Sequence, residues 1–74
     1  LKDPTLRYFS QCLTQVHPDS LLVFDDIHWT REMEGAWAEI KAHPAVNLTI
    51  DLFFMGLVFF RPEFKEKQHF ILRY

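Results

Sequence analysis

A single cysteine, Cys12, rules out an internal disulfide in this 74-residue chain. No Cys/His grouping has zinc spacing, so the other common staple of small domains is excluded as well. Glycine is nearly as scarce. With only Gly35 and Gly56 available, the chain has no G-x-G-x-x-G, no P-loop and no Gly-rich turn to cradle a nucleotide. The longest apolar run, residues 52–60, is interrupted by Gly56 and falls well short of the roughly 18 to 20 residues that span a bilayer. No membrane contact is expected. Nor is there a basic stripe. Residues 1–60 carry four basic and eight acidic side chains, while 61–74 carry four basic and two acidic ones, with Lys65-Glu66-Lys67 alternating in sign as a solvated face does. No nucleic-acid partner is expected.

What the chain does have is apolar bulk. Hydrophobic residues are 49% of the sequence and aromatics 16%, with eight Phe, which excludes disorder and requires a packed or partner-covered chain. The length allows one domain at most, of marginal size. No signal sequence opens the chain, so cytoplasmic residence is expected and Asn47-Leu48-Thr49 is read as an accidental glycosylation acceptor.

Helical spacing of Leu6, Phe9, Leu13 and Val16 behind Asp3-Pro4 predicts a helix over 4–16, stopped by His17-Pro18. Leu21-Leu22-Val23-Phe24 then reads as a parallel strand covered on both faces, ending abruptly at Asp25-Asp26. Thr30 caps a second helix over 31–42, whose buried stripe is Met33, Ala36, Trp37 and Ile40. After His43-Pro44, Val46, Leu48, Ile50 and Leu52 alternate with Asn47, Thr49 and Asp51, which predicts a strand with its polar positions in solvent. Met55-Gly56 is the expected break before a strand over 57–60, antiparallel to the last. A helical turn over 63–68 and a strand through Phe70, Leu72 and Tyr74 are open readings of the tail 62–74. The fold class is therefore α/β. The order helix, strand, helix, strand, strand is that of a doubly wound sheet ending on an antiparallel edge, with its first half expected upstream of Leu1.

Asp25 and Asp26 stand where open α/β sheets place ligand crevices, so the pair is a candidate for cation binding or proton transfer. Adjacent residues at a strand end point apart unless the backbone turns there. His28 and Trp29 share the loop, as a candidate base and a candidate cover for a planar substrate, against the blander expectation that Trp29 packs on the sheet edge. His17 and His43 are expected to satisfy carbonyls at helix ends, and Cys12 to act as a small hydrophobe.

The segment Ser20 to Thr30, SLLVFDDIHWT, the helix behind it, His43-Pro44, the alternating strand and Gly56-Leu-Val-Phe-Phe-Arg61 together resemble the end of a class I S-adenosylmethionine-dependent methyltransferase. The likeness is to the bacterial small O-methyltransferase-like group, over about residues 3–61. The resemblance implies that residues 1–74 are a single partial domain, the C-terminal part of a Rossmann-like sheet whose last two strands are antiparallel. It implies a parent protein that moves a methyl group from S-adenosylmethionine to an oxygen or similar acceptor, with this fragment inactive alone. Asp25 and Asp26 would be the catalytic pair and the ligands of a divalent cation such as magnesium. His28 and Trp29 would bind a small-molecule methyl acceptor, and the residues that hold the cofactor would lie upstream of Leu1. The second aspartate departs from the asparagine common in that group. A rival expectation is a non-catalytic α/β interaction module that self-associates through its apolar sheet, and in either case homodimers through exposed strand edges are expected.

Overall fold

The structure, a computed structural model, describes residues 2–61 and 66–72, with side chains described from Pro4 onward. Six elements follow in order: α1 (Lys2–Leu13), β1 (Leu21–Asp25), α2 (Arg31–Ala42), β2 (Leu48–Asp51), β3 (Met55–Phe59) and β4 (Gln68–Ile71). The chain is thus a small α/β unit with two helices and one mixed four-stranded sheet, in the order β1-β3-β2-β4. β3 is antiparallel to both β1 and β2, and β4 runs parallel to β2. β1 and β2 therefore point the same way, joined through α2, with the reversed strand β3 lying between them.

The second helix occupies its predicted span. Thr30 accepts a hydrogen bond from the Met33 N–H, which satisfies one orphan donor of the first turn, and Ala36, Trp37 and Ile40 face inward as its spacing requires. The first helix ends at Leu13, three residues before the predicted stop, because Gln15 N–H closes a tighter turn onto the Cys12 carbonyl. Phe9, Phe24, Ile27, Trp37, Ile40, Val46, Val58 and Phe60 form one core. Phe9 meets Phe24 edge on, with ring centroids 6.2 Å apart, and both helices contribute to the same side of the sheet.

Three expectations are corrected by this arrangement. β1 was expected to be an inner strand covered on both faces; among the described residues it is an edge of the sheet, and Leu21 and Val23 are each 49% exposed. β2 was expected to turn Thr49 and Asp51 to water, yet these are its buried positions, at 1% and 6% exposure, while Leu48 and Ile50 line the open face. Polar side chains can face a core when they find partners there. Here Thr49 Oγ1 lies 2.7 Å from His69 Nδ1, and Asp51 is held by the hydrogen bonds described below. Gly56, finally, is not a turn residue. It sits within β3 opposite Phe24 and Asp51, and the hairpin turns at residues 52–54 instead. The need for glycine is steric, since a Cβ there would lie 2.5 Å from Trp37 Cη2 and 2.6 Å from Cζ3.

The tail contributes β4 and one unforeseen clasp. Lys67 Nζ donates to the carbonyls of Lys41, His43 and Val46, so all three ammonium donors serve the C-terminal end of α2 and the turn after it. His43, expected in that role, instead accepts the Ala45 N–H at Nδ1 and packs edge on against Phe9. Residues 62–65, 73 and 74 lie outside the described residues, and half of the helical turn expected over 63–68 falls there; of the other half, 66 and 67 are not helical and Gln68 opens β4. No helix among the described residues is long and apolar enough to cross a membrane.

Candidate functional site

β1 delivers its last residues to one end of the sheet, and the backbone turns there. Asp26 takes a positive φ of 59°, a conformation that aspartate tolerates better than most residues. Its N–H donates to the Phe54 carbonyl at 2.8 Å and its carbonyl accepts the Trp29 N–H at 2.9 Å. Ile27, 1% exposed, anchors this turn in the core, which leaves Asp26, His28 and Trp29 on the rim. The β2–β3 hairpin closes the other side. Phe53 has φ 73°, Phe54 N–H donates to the Leu52 carbonyl across it, and the Phe53 N–H donates to Asp51 Oδ1 at 2.7 Å. A bulky aromatic in such a γ-turn is strained, by roughly 1–3 kcal/mol for a non-glycine residue at this φ. Both loops meet around a half-open cleft of about 370 Å³ lined by Asp26, His28, Trp29, Phe53 and Phe54.

His28 is the best-held polar group of the site. Its Nδ1 lies 2.9 Å from Glu34 Oε2 and its Nε2 lies 2.6 Å from Asp51 Oδ2, while its ring stacks on Phe53 at 5.5 Å. Both partners are acceptors, so both ring nitrogens must donate, and only the imidazolium can do so. The hydrogen bond to Glu34 raises the His28 pKa above its ordinary 6.5; burial opposes this, and the hydrogen bond and charge of Asp51 add to the rise. A histidine held at both nitrogens is not free to take a proton from a substrate. Its contribution to the cleft is the face of its ring and the position it gives to Phe53.

Of the four residues that the sequence nominated, the structure brings Asp26, His28 and Trp29 to one cleft. Asp25 is not among the lining residues. It is the exposed last residue of β1, continuing the alternate row of Leu21 and Val23, so the two aspartates diverge. Among the described residues no three His, Cys, Asp or Glu side chains are grouped to hold a metal ion. The divergent pair does not suit a shared divalent cation. A nucleoside cofactor fits no better, because Gly35 and Gly56 lie inside α2 and β3 and no glycine with positive φ is found among the described residues. Trp29 does not pack on the sheet edge; it is 80% exposed over the cleft.

Glu34, Asp51, Phe53 and Phe54 belong to the site but were not legible as such. One signal was present, the run Asp51-Leu52-Phe53-Phe54 at the end of an alternating strand, where a turn would be expected to carry small polar residues. No family model, curated protein or solved structure matches the chain.

Proposed function

We propose that this chain is the C-terminal part of a class I methyltransferase sheet and that its cleft forms one wall of the methyl-acceptor site. A single observation carries the reading. The Asp26-Ile27-His28-Trp29 turn at the carboxyl end of β1 meets Phe53 and Phe54 of the antiparallel β2–β3 hairpin, giving an aromatic cleft with one carboxylate on its wall where wound α/β sheets bind ligands. The parallel β1-α2-β2 crossover with β3 reversed between its strands supports a Rossmann-like origin. The open edge of β1 is the side on which further strands would pair. When bound, S-adenosylmethionine supplies an electrophilic methyl group, and this reading assigns its binding to residues upstream of Leu1. In this reading Asp26 accepts a hydrogen bond from the acceptor's hydroxyl, Trp29 and Phe54 sandwich its body, and the His28 ring fixes Phe53.

Two measurements test this. Calorimetric titration of the 74-residue chain with S-adenosylmethionine is expected to show no binding, and tight stoichiometric binding refutes the placement of the cofactor site elsewhere. Methyl transfer by the longer polypeptide that includes this segment is expected to fall about 100-fold or more in Asp26→Asn. An unchanged rate refutes the role of Asp26.

A second reading is favoured by the uncovered side of the sheet. Leu21, Val23 and Phe70 are exposed there beside Leu48, Ile50, Leu57 and Phe59, an apolar face of the kind that mediates association. As a non-catalytic module the chain would dimerise through this face or the β1 edge. Sedimentation of wild type and Val23→Lys decides it: a wild-type dimer split by the lysine supports the module, and a monomer at millimolar concentration removes it.

A further inference from the structure

We infer that the cleft between the 26–29 turn and the 52–54 turn is a binding site for a small organic cation with an apolar body about one ring in size. Three aromatic residues, Trp29, Phe53 and Phe54, line the cleft; His28 lines it too, but as an imidazolium its ring adds no attraction for a cation. Trp29, being 80% exposed, holds a large apolar surface in water at the mouth of the cleft, where a ligand would cover it. Aromatic faces carry negative quadrupole potential and attract cations, tryptophan most strongly. The charges have the same sense. Asp26 lines the cleft directly, and the His28 imidazolium is enclosed by two carboxylates, Glu34 and Asp51. That trio carries one net negative charge with His28 protonated and two without, so the carboxylates behind the cleft more than offset the imidazolium and Asp26 adds its own negative charge at the wall. An anionic ligand would be repelled by Asp26 and could not draw on the His28 nitrogens, both of which are already engaged. A neutral ring would fill the walls but leave the field unused.

Size limits the ligand further. A volume of about 370 Å³ is at the small end of the roughly 300–1,000 Å³ found for small-molecule sites. One ring with a short ammonium-bearing arm fits within this half-open space. The strained Phe53 belongs to the same picture, since a non-glycine residue is kept in a left-handed conformation where it presents a ring to the cleft. This ligand class follows from the walls and charge of the cleft and goes beyond the methyl-transfer reading, which can fail while the cation site stands.

The test is a titration of the 74-residue chain, followed by calorimetry and by amide shifts of residues 26–29 and 52–54, with benzyltrimethylammonium, benzyl alcohol and phenylacetate as probes. The quaternary ammonium is expected to bind about ten-fold tighter than benzyl alcohol, with phenylacetate weakest. Asp26→Asn, which tolerates positive φ and whose Oδ1 still accepts a hydroxyl hydrogen bond, is expected to weaken the ammonium about five- to ten-fold and leave benzyl alcohol within about two-fold. Trp29→Ala, at an exposed position with no role in the core, is expected to abolish binding of both. Equal affinity for the ammonium and the alcohol overturns the proposal, as does preference for phenylacetate, an Asp26→Asn effect shared equally by the neutral probe, or no binding of any probe to the folded chain.

Discussion

Substituting alanine for Gly56 isolates one contact on which the packing of α2 against the sheet depends. The added Cβ would lie 2.5, 2.6 and 3.0 Å from Trp37 Cη2, Cζ3 and Cζ2. Carbon pairs settle at about 3.5–4.0 Å, so the indole must retreat by roughly 1 Å. Trp37 is 3% exposed and wedged within the core, so the ring cannot rotate into solvent and α2 must move with it. Overpacking of this kind costs about 1–3 kcal/mol. The φ of Gly56 is not positive, so alanine itself is conformationally acceptable and returns about 0.4–1 kcal/mol by restricting the unfolded chain. The net loss is about 1–2 kcal/mol, which for a domain of this size lowers Tm by roughly 5–15 °C. Thermal unfolding followed by circular dichroism measures it. A Tm that stays level or rises would refute the reasoning. A double-mutant cycle adds the cause. Trp37→Phe removes the contacted ring atoms and also the buried Nε1, which has no hydrogen-bond partner, so Gly56→Ala made on that background is expected to cost nothing. A coupling of about 1–2 kcal/mol between the two positions should result.

Three further outcomes are expected. His28 has a raised pKa, so its contribution to stability is complete below about 6.5 and is lost as pH climbs through the folded value. His69 is shifted down by burial and by Lys41 and Lys67, so its contribution falls away below 6.5, and Tm should peak near that pH. His28→Gln should flatten the alkaline limb alone, and a limb that survives it assigns the titration elsewhere. Phe53→Gly releases a left-handed aromatic residue at the expense of its stack on His28, so urea unfolding should show stability unchanged or raised by up to about 1 kcal/mol; a loss beyond about 1 kcal/mol contradicts the strain. Lys67→Met leaves three carbonyls without their shared donor and should cost about 1–3 kcal/mol, with faster amide exchange in β4 than elsewhere, and uniform exchange would show that the clasp does not hold the tail.

The local elements were written plainly in the chain. Thr30, the stripe Met33-Ala36-Trp37-Ile40 and the halt at His43-Pro44 place α2 because capping and 3.6-residue spacing act over neighbours in sequence. The run Leu21 to Phe24 ending in two aspartates likewise marked β1 and brought Asp26, His28 and Trp29 to notice. Which face of β2 is covered was not decided there. Alternation fixes which residues share a side, and only packing chooses the side; His28 and His69, each about twenty residues away in sequence, make the polar one the inner. The seat of Gly56 against Trp37 and the clasp of Lys67 on the end of α2 share that origin. Each is a relation between segments distant along the chain, and no nearest-neighbour preference carries such information.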